Sequence, residues 1–409
     1  MGKGTRVVGP ACLRGISNAR LNLFVGSTAL TYMCVSAVTN VLLGLYFVEA
    51  GFDEAFIGGT IAARTFALAA AGLFVGSLTG LVGRRNTAVA GIVLSALGYI
   101  GQVLTGIPEL VYAFSVLNGA GYAMIYINES PFVAQYANSG REVEAFSFCF
   151  AASMGATVLG SCLAGTVQSL FAADSLRKAV LLFSALSLAA ALPMLRLKNV
   201  RSRSGNGWFN FVYGLGLVRD RKNALTVLFN FVLGFGAGLI VPFMNVFLRY
   251  KLGSDSQQIG NIMGFAEIAT VVGVVAVSWL ARRFRKEKIV VVSQLASLPF
   301  ILCIAFSENV ALTMLATFIR NALMNMCMPV MSAVYMEGVD DDDRPALSGL
   351  INAANNAGRT LSALVAGLLI VSMGYEATYV LAAVCYLAAA LLFALVGRAA
   401  AGVRCGTCK

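Results

Sequence analysis

The chain contains no histidine and little charge: Asp, Glu, Lys and Arg together make up 12% of its 409 residues. Histidine is the most frequent general base and a common metal ligand, so its absence removes the usual parts of metal-site and triad chemistry. No glycine-rich phosphate loop with a lysine replaces it, and no serine or cysteine is arranged as a nucleophile. We therefore expect a protein that is not an enzyme and that holds no cofactor and no metal.

The cysteines and one acidic run support the same expectation. The nine cysteines are odd in number and lie mostly in apolar stretches, which argues against a disulfide framework. Cys405 and Cys408 form a Cys-x-x-Cys pair without further ligands nearby, so we expect an unstructured tail there. The aspartates 340–343 lack the glycine and glutamate spacing of a calcium loop and are expected to form a solvated cap.

Apolar side chains are in large excess. They make up 58% of the residues, and the mean hydropathy is +0.80, which is more than a soluble domain buries beneath a polar surface. A helix of about 20 apolar residues crosses roughly 30 Å of hydrocarbon. The sequence predicts an all-α membrane protein with twelve such helices. Their predicted centres are near Val35, Ala67, Leu94, Tyr122, Ala156, Leu186, Leu233, Val271, Ala296, Met324, Ala357 and Leu387.

The distribution of positive charge predicts the orientation. If both termini are cytoplasmic, 23 of the 30 Lys and Arg residues fall in cytoplasmic segments, as the positive-inside rule requires. The net charge of +11 is then explained by topology, so we expect no nucleic-acid partner. We expect a multi-pass protein of the plasma (inner) membrane that contacts the lipid bilayer and works as a monomer.

A short motif occurs twice. Residues 51–59 read GFDEAFIGG and residues 253–261 read GSDSQQIGN, so the pattern Gly-x-Asp-x-x-x-Ile-Gly returns after 202 residues. The polar segment 196–222, which contains RSRSGNG, separates the two copies and predicts a linker between two six-helix bundles. The predicted parts are a cytoplasmic tail 1–20, an N-terminal bundle 21–195, the cytoplasmic linker 196–222, a C-terminal bundle 223–397 and a cytoplasmic tail 398–409.

The loop after the predicted second helix carries a family motif, Gly-x-Leu-Ala-Asp-Arg-x-Gly-Arg-Arg. The matching residues are Gly76, Leu78, Gly83, Arg84 and Arg85, whereas Gly80 and Leu81 stand where the motif has Asp and Arg. The second half has a similar pattern in Ser278, Leu280, Ala281, Arg283, Phe284 and Lys286, with Arg282 at the Asp position and Arg285 at the Gly position. With its repeat and linker, the chain resembles the major facilitator superfamily over nearly its whole length.

This resemblance implies a secondary transporter that works by alternating access, with two pseudo-symmetric bundles around a central cavity. It implies that helices 1, 2, 4, 5, 7, 8, 10 and 11 line that cavity. The opposite charges of these loops predict a cytoplasmic gate, because each half pairs a basic loop with an acidic loop two helices later. The gate residues are Gly76, Gly83, Arg84, Arg85, Arg282 and Arg283, with Arg285 and Lys286 beside them and with Glu142, Glu144 and the aspartates 340–343 as partners. Solvated loops that merely obey the orientation rule are the alternative.

Five charged residues are predicted inside the spans, where each charge at the bilayer centre costs about 2.5 to 3.5 kcal/mol. They are Arg64, Glu129, Glu267, Arg320 and Arg359, and all lie on helices that the resemblance assigns to the cavity. Two polar stripes accompany them at helical spacing. The stripes are Asn352, Asn355, Asn356 and Arg359 in one helix and Asn118, Tyr122, Tyr126 and Glu129 in another.

From these positions we predict a substrate site and a proton site. The substrate site comprises Arg64, Tyr122, Tyr126, Arg320, Asn352, Asn355, Asn356 and Arg359, unless the polar groups only join helices by hydrogen bonds. Three arginines against two carboxylates favour an anionic or zwitterionic small molecule. Glu267 is the better candidate for proton coupling, and Glu129 is the second, because apolar surroundings favour a protonated carboxyl. We expect Glu267 to pair with Arg64 in one conformation.

Two other functions stay open. Proton-driven efflux of lipophilic drugs or lipids suits the Met-rich and aromatic composition. However, the predicted fourth helix lacks the arginine of the drug antiporters, and the fifth lacks their Gly-Pro pair. A sensor that does not transport is the less favoured alternative, since neither tail is long enough to add a soluble domain.

Overall fold

The computed structural model describes residues 19–138, 141–171, 174–201, 207–337, 339–340 and 343–406, and these residues are almost entirely helical. Twelve helical segments are long and apolar enough to cross a membrane, which confirms the predicted fold class. Most of the predicted N-terminal tail, part of the acidic run (Asp341 and Asp342) and Cys408 lie outside the described residues.

The twelve spans follow one another with short connections. Their bounds are Ala19–Glu49 (span 1), Glu54–Val82 (2), Arg84–Leu104 (3), Pro108–Tyr136 (4), Glu144–Ser169 (5), Ser175–Leu195 (6), Arg221–Tyr250 (7), Ser256–Val277 (8), Lys286–Phe306 (9), Val310–Met336 (10), Ala346–Met373 (11) and Tyr375–Arg398 (12). Because the number of spans is even, span 1 begins on the face where span 12 ends. We call this the terminal face and the other the opposite face.

The repeated motif forms twin turns at the opposite face. Gly51 and Gly253 adopt φ angles of 88° and 63°, a region that a residue without a Cβ adopts at no steric cost. The carboxylate of Asp53 then accepts a hydrogen bond from the Phe56 amide and begins span 2. Asp255 begins span 8 in the same way, with a full capping box. The motif is therefore a stop and a start signal for helices, used once in each half.

The two halves also share a helix irregularity. Span 1 contains a π-helical segment, Ala37–Leu42, and span 7 contains a 3₁₀ turn, Val241–Phe243, at the position that the repeat of 202 residues predicts. In span 7, Pro242 lacks the amide hydrogen that a regular helix needs there. Span 10 is likewise interrupted, between Asn325 and Met328. These interruptions let the spans bend around the centre of the protein.

The buried apolar core shows how the halves are arranged. Near the opposite face one core cluster contains residues from all twelve spans. Near the terminal face the core is divided in two: Phe24 and Phe132 stack at 5.0 Å inside the first half, and Phe229 and Phe393 pack at 5.0 Å inside the second. The halves are thus closed together at the opposite face, and the cleft between them opens toward the terminal face.

Hydrogen bonds between the halves support this arrangement. The Tyr375 hydroxyl donates to the Glu54 carboxylate at 2.9 Å, and the Thr166 hydroxyl donates to the Gln257 side-chain oxygen at 2.5 Å. All four residues lie where their spans begin or end at the opposite face. The cleft is therefore sealed on this side by polar as well as apolar contacts.

Two further segments lie at the terminal face. The predicted linker contains a helix, Gly207–Leu217, which packs on span 11 and donates a hydrogen bond from Tyr213 to Asp343 at 2.9 Å. The helix of span 12 continues beyond Arg398 to Gly406, so most of the predicted C-terminal tail is helical. The linker is thus partly a surface helix rather than an extended connection.

Candidate functional site

Arg64 is held by its own half. It lies near the middle of span 2, and its Nε donates to Asn118 Oδ1 in span 4 at 2.7 Å. Asn118 is fully buried and donates in turn to the Ser95 carbonyl oxygen at 2.8 Å. The Arg64 guanidinium also lies over the Tyr122 ring, 5.3 Å from its centroid. A Cβ on Gly119 would lie 2.1 Å from the Arg64 carbonyl oxygen, so glycine permits this close approach of the two spans.

Glu129 belongs to the same cluster. Its carboxylate accepts hydrogen bonds from the Tyr32 hydroxyl at 2.6 Å and from the Cys149 thiol at 3.5 Å. The Tyr32 ring meets the Tyr122 ring edge-on at 6.4 Å. Spans 1, 2, 4 and 5 therefore share one network that connects an arginine to a carboxylate through aromatic side chains. Tyr32 is absent from the predicted site, although Thr28, Tyr32, Ser36 and Asn40 follow one another at four-residue spacing in span 1, a polar stripe that marks this face.

Tyr126 projects from this network into the cleft. Its ring lies nearly parallel to that of Tyr122, at 15° and 6.3 Å, yet 59% of the side chain is exposed. Its hydroxyl makes no hydrogen bond with any residue that the structure describes. The predicted pair Tyr122 and Tyr126 therefore divides into a packed ring and an open one.

Arg320 lies inside the second half. It is 5% exposed, and its guanidinium donates to the Tyr386 hydroxyl in span 12 at 2.7 Å and to Asn321 Oδ1 at 2.9 Å. The same guanidinium lies 5.6 Å from the centroid of the Tyr386 ring. The structure thus directs this charge away from the cleft, toward a span that the family resemblance did not assign to the cavity. Nothing in the sequence pattern marks Tyr386 as its partner.

Arg359 faces the cleft without a partner. It lies near the middle of span 11, its side chain is exposed, and it makes no hydrogen bond or ion pair with the described residues. Tyr126, Arg320 and Tyr386 lie close enough to interact with its charge. A Cβ on Gly238 would lie 2.0 Å from Ser362 Oγ, so span 7 packs tightly on span 11 beside this arginine.

The asparagine stripe of span 11 is only partly available. Asn355 donates to the Asn230 carbonyl oxygen of span 7 at 3.1 Å, which is a contact between helices of one half. Asn356 donates to the Asn352 carbonyl oxygen at 3.0 Å, within its own helix. The Asn352 side chain is exposed. The stripe thus joins spans 7 and 11 through Asn355 and offers Asn352 to the cleft.

Glu267 is isolated in span 8. Its side chain is partly buried, and within the described part of the chain it has neither a hydrogen bond nor an ion pair. The expected pair with Arg64 is therefore not formed in this conformation, in which Arg64 binds Asn118 instead.

The motif loop of the first half is stabilised within that half. Gly83 has a φ angle of 90°, and a Cβ there would lie 2.2 Å from the Asn199 side chain. Asn199 donates to the Val82 carbonyl oxygen at 2.9 Å and accepts from the Arg85 amide at 3.2 Å. Arg84 contacts span 4 through the Pro131 carbonyl oxygen at 3.3 Å. Gly76 lies inside span 2. The side chain of Glu142 is not among those that the structure describes.

The second motif loop is more exposed. Lys286 forms an ion pair with Glu337 at 2.8 Å, at the end of span 10. Arg285 pairs with Glu287 at 3.6 Å, and the Arg283 guanidinium lies 4.2 Å from the Trp279 ring. The Arg282 side chain is exposed. One predicted basic loop thus reaches the acidic connection between spans 10 and 11, next to the predicted run.

A cavity of about 340 Å³ opens at the terminal face, away from the central cluster. Its lining includes Asp220, Lys222, Glu337, Asp340 and Asp343. Lys222 is 5% exposed, and its ammonium donates to the carbonyl oxygens of Tyr335 and Glu337. Because these contacts join spans 7 and 10 of one half, the cavity belongs to the packing of the second half rather than to the central cleft.

Comparisons with known proteins agree with this architecture. The family model described as Major Facilitator Superfamily matches residues 25–221 and 226–403. Among curated protein sequences, none matches the chain.

Solved transporter structures share the fold. The nucleoside transporter NupG superimposes with a TM-score of 0.78 at 15% identity and covers 93% of this chain and 99% of its own. A bacterial homologue of the human lysosomal transporter Spinster, in an inward-facing conformation, superimposes with a TM-score of 0.77 at 12% identity and covers 93% of this chain and 96% of its own. A D-xylose–proton symporter superimposes with a TM-score of 0.70 at 13% identity and covers 91% of this chain and 96% of its own. At these identities the likeness concerns the fold alone.

Proposed function

Because the chain belongs to the Major Facilitator Superfamily, we propose that it moves a small organic anion or zwitterion across the membrane by alternating access, with a proton as the coupling ion. In this fold type, substrates bind near the middle of the membrane between the two halves. Arg359, in the middle of span 11, and the exposed Tyr126 of span 4 support a site at that depth. Alternating access then requires that the closed opposite face open while the terminal face closes.

The unpartnered Arg359 is the observation that carries the proposal. A guanidinium in the middle of a membrane protein is costly unless something compensates its charge. Arg64 and Arg320 both find hydrogen-bond partners in their own halves, but Arg359 has none among the described residues. An anionic group supplied by the substrate fits its planar fork of donors. Asn352 and Tyr126, exposed on the same cleft, are available for further contacts.

Glu267 is the proposed proton carrier. Its partly buried position, with no ion pair to any residue that the structure describes, favours the neutral, protonated carboxyl. A conformational change that brings water or an arginine to Glu267 favours release of the proton. Glu129 already accepts a hydrogen bond from the Tyr32 hydroxyl in this conformation, so it is the second candidate for the proton carrier. This division separates the proton site in span 8 from the anion site in span 11.

We propose the plasma (inner) membrane as the location, with both termini cytoplasmic and the monomer as the working unit. The excess of Lys and Arg in the segments of the terminal face supports this orientation. With this orientation, the cleft described above is open to the cytoplasm.

Ligand-dependent thermal stability tests the proposal. The purified protein is heated with anionic, zwitterionic and lipophilic cationic compounds at pH 5.5 and 7.5, beside Arg359→Ala and Arg398→Ala. A ligand that binds only the folded protein raises the melting temperature by mass action. Arg398 is exposed at the end of span 12, so its replacement removes the same charge outside the cleft.

An anion or zwitterion that stabilises the parent and Arg398→Ala, but not Arg359→Ala, is the expected result. If lipophilic cations stabilise all three proteins and the anions stabilise none, efflux of lipophilic compounds replaces the proposed function. Binding of an anion without flux in proteoliposomes identifies a sensor instead.

A further inference from the structure

Tyr126 is an open aromatic surface in the middle of the membrane. More than half of its side chain is exposed, although it lies inside span 4 and its ring belongs to an aromatic cluster. Its hydroxyl has no hydrogen-bond partner in the described part of the chain. Tyrosine buries its ring well in proteins, so an open ring at this depth needs a reason.

The neighbours of Tyr126 form a firm support for it. Tyr122, whose ring lies nearly parallel behind it, packs beneath the Arg64 guanidinium and against the edge of Tyr32. The hydrogen bonds of Arg64 to Asn118 and of Tyr32 to Glu129 hold both of these neighbours in place. The support is therefore fixed from three spans, while the outer face of the Tyr126 ring stays uncovered. Such a preorganised surface costs little entropy to use in binding.

Tyr126 and Arg359 are exposed side chains of opposite halves. Tyr126 belongs to the first half and Arg359 to the second, and they lie close enough for the Arg359 charge to act on Tyr126. A ligand that contacts both residues consequently bridges the two halves, as a transported substrate has to. The first half contributes an aromatic face, and the second contributes a free cation.

We propose that the substrate is an organic anion with a planar ring, whose anionic group binds Arg359 and whose ring stacks on Tyr126. This inference rests on the proposed function, because it assigns chemistry to the same central site. Arg359 selects the negative charge, and the open ring of Tyr126 selects a flat, polarisable surface next to it. A saturated ring of the same size has no flat face to offer.

Two matched acids distinguish the ring from the charge. Benzoate and cyclohexanecarboxylate have the same number of carbons and the same charge, but only benzoate is planar. Their affinities are measured by titration calorimetry with the parent protein, Tyr126→Phe, Tyr126→Leu and Arg359→Gln. Because Tyr126 is exposed and its hydroxyl has no hydrogen-bond partner among the described residues, its replacement opens no buried cavity and leaves no buried polar group unsatisfied.

The parent should prefer benzoate by about threefold to tenfold, the range expected of an aromatic pair beyond its buried area. Tyr126→Phe should keep this preference, and Tyr126→Leu should lose it while still binding cyclohexanecarboxylate like the parent. Equal affinity of the parent for both acids, or a preference that survives Tyr126→Leu, would overturn the inference. If Arg359→Gln binds both acids like the parent, or if the parent binds neither, the proposed anion site itself fails.

Discussion

Gly58 in span 2 lies directly against the backbone of Ala363 in span 11, so that a Cβ at residue 58 would stand 2.3 Å from the Ala363 carbonyl oxygen. The same contact occurs a second time with the halves exchanged. A Cβ at Gly260 in span 8 would stand 2.4 Å from the Ser161 carbonyl oxygen in span 5. The 202-residue repeat relates Gly58 to Gly260 and Ser161 to Ala363. The last glycine of the repeated motif is therefore the point where each half closes on the other.

A side chain at Gly58 should open the opposite face. Gly58→Ala places a methyl group against backbone that cannot move aside, and overpacking costs about 1 to 3 kcal/mol. This cost destabilises only the conformation in which the opposite face is closed. The ratio of the open to the closed conformation at that face should therefore increase by about fivefold or more. Cys162, a free thiol of span 5 beside Gly264 of span 8, lies at the corresponding second contact between the halves and reports the change. Its alkylation rate, followed by peptide mass spectrometry, should increase at least threefold.

Gly26→Ala is the matched control for this experiment. Gly26 also lies inside a span, but a Cβ there would have no neighbour within 4 Å. Its replacement should leave the alkylation rate of Cys162 unchanged. Equal rates in Gly58→Ala and the parent would mean that the closed interface tolerates a methyl group and that the repeat has no role in closure.

The aspartates of the repeated motif should contribute to stability. Asp53 accepts the Phe56 amide at 2.8 Å, and Asp255 accepts the Gln258 amide at 2.7 Å. Loss of such an N-cap typically costs about 0.5 to 2 kcal/mol. Asp53→Ala and Asp255→Ala should each lower the free energy of unfolding by about 1 kcal/mol in a detergent titration. Asp255→Asn keeps a capping oxygen and should retain most of the free energy of unfolding. A loss in Asp255→Asn as large as that in Asp255→Ala would argue against capping.

The fold was predictable because its signals are local. Span lengths follow from apolar runs, and the twin turns follow from Gly51, Asp53 and their repeats. The embedded charges were also found, since each stands out in an apolar segment. Their partners were not, because the partner depends on how one helix is rotated against another. Arg320, predicted to face the cleft, turns instead to Tyr386 on span 12, whose position no local pattern encodes.

Asn118 should be essential for keeping Arg64 in its present position. It is fully buried, accepts from Arg64 at 2.7 Å and donates to the Ser95 carbonyl oxygen at 2.8 Å. Asn118→Ala leaves the Arg64 guanidinium and the Ser95 carbonyl oxygen without this partner, and each unsatisfied buried group costs about 1 to 3 kcal/mol. We expect a loss of roughly that size in the free energy of unfolding. Asn356→Ala, which removes an amide bonded only within its own helix, should have little effect. Equal losses in the two variants would exclude a special role for Asn118.

Glu267 provides the test of proton coupling. Glutamine has the same shape as the protonated carboxyl but cannot release a proton, so Glu267→Gln should fix span 8 in its protonated form. Exchange of labelled for unlabelled substrate needs no net proton release and should continue. Accumulation driven by a pH gradient should be lost, and the remaining uptake should no longer vary with pH. Both quantities are measured in proteoliposomes with the compound that stabilises the parent protein.

Glu129→Gln is the companion variant, because a glutamine oxygen still accepts the hydrogen bond that Tyr32 donates to residue 129. It should therefore retain accumulation and its pH dependence while Glu267→Gln loses both. The reverse outcome would move the proton site into the network of the first half, next to Arg64. If both variants accumulate substrate like the parent, neither embedded carboxyl carries the proton, and the coupling ion is not bound by an acidic residue of the central cleft.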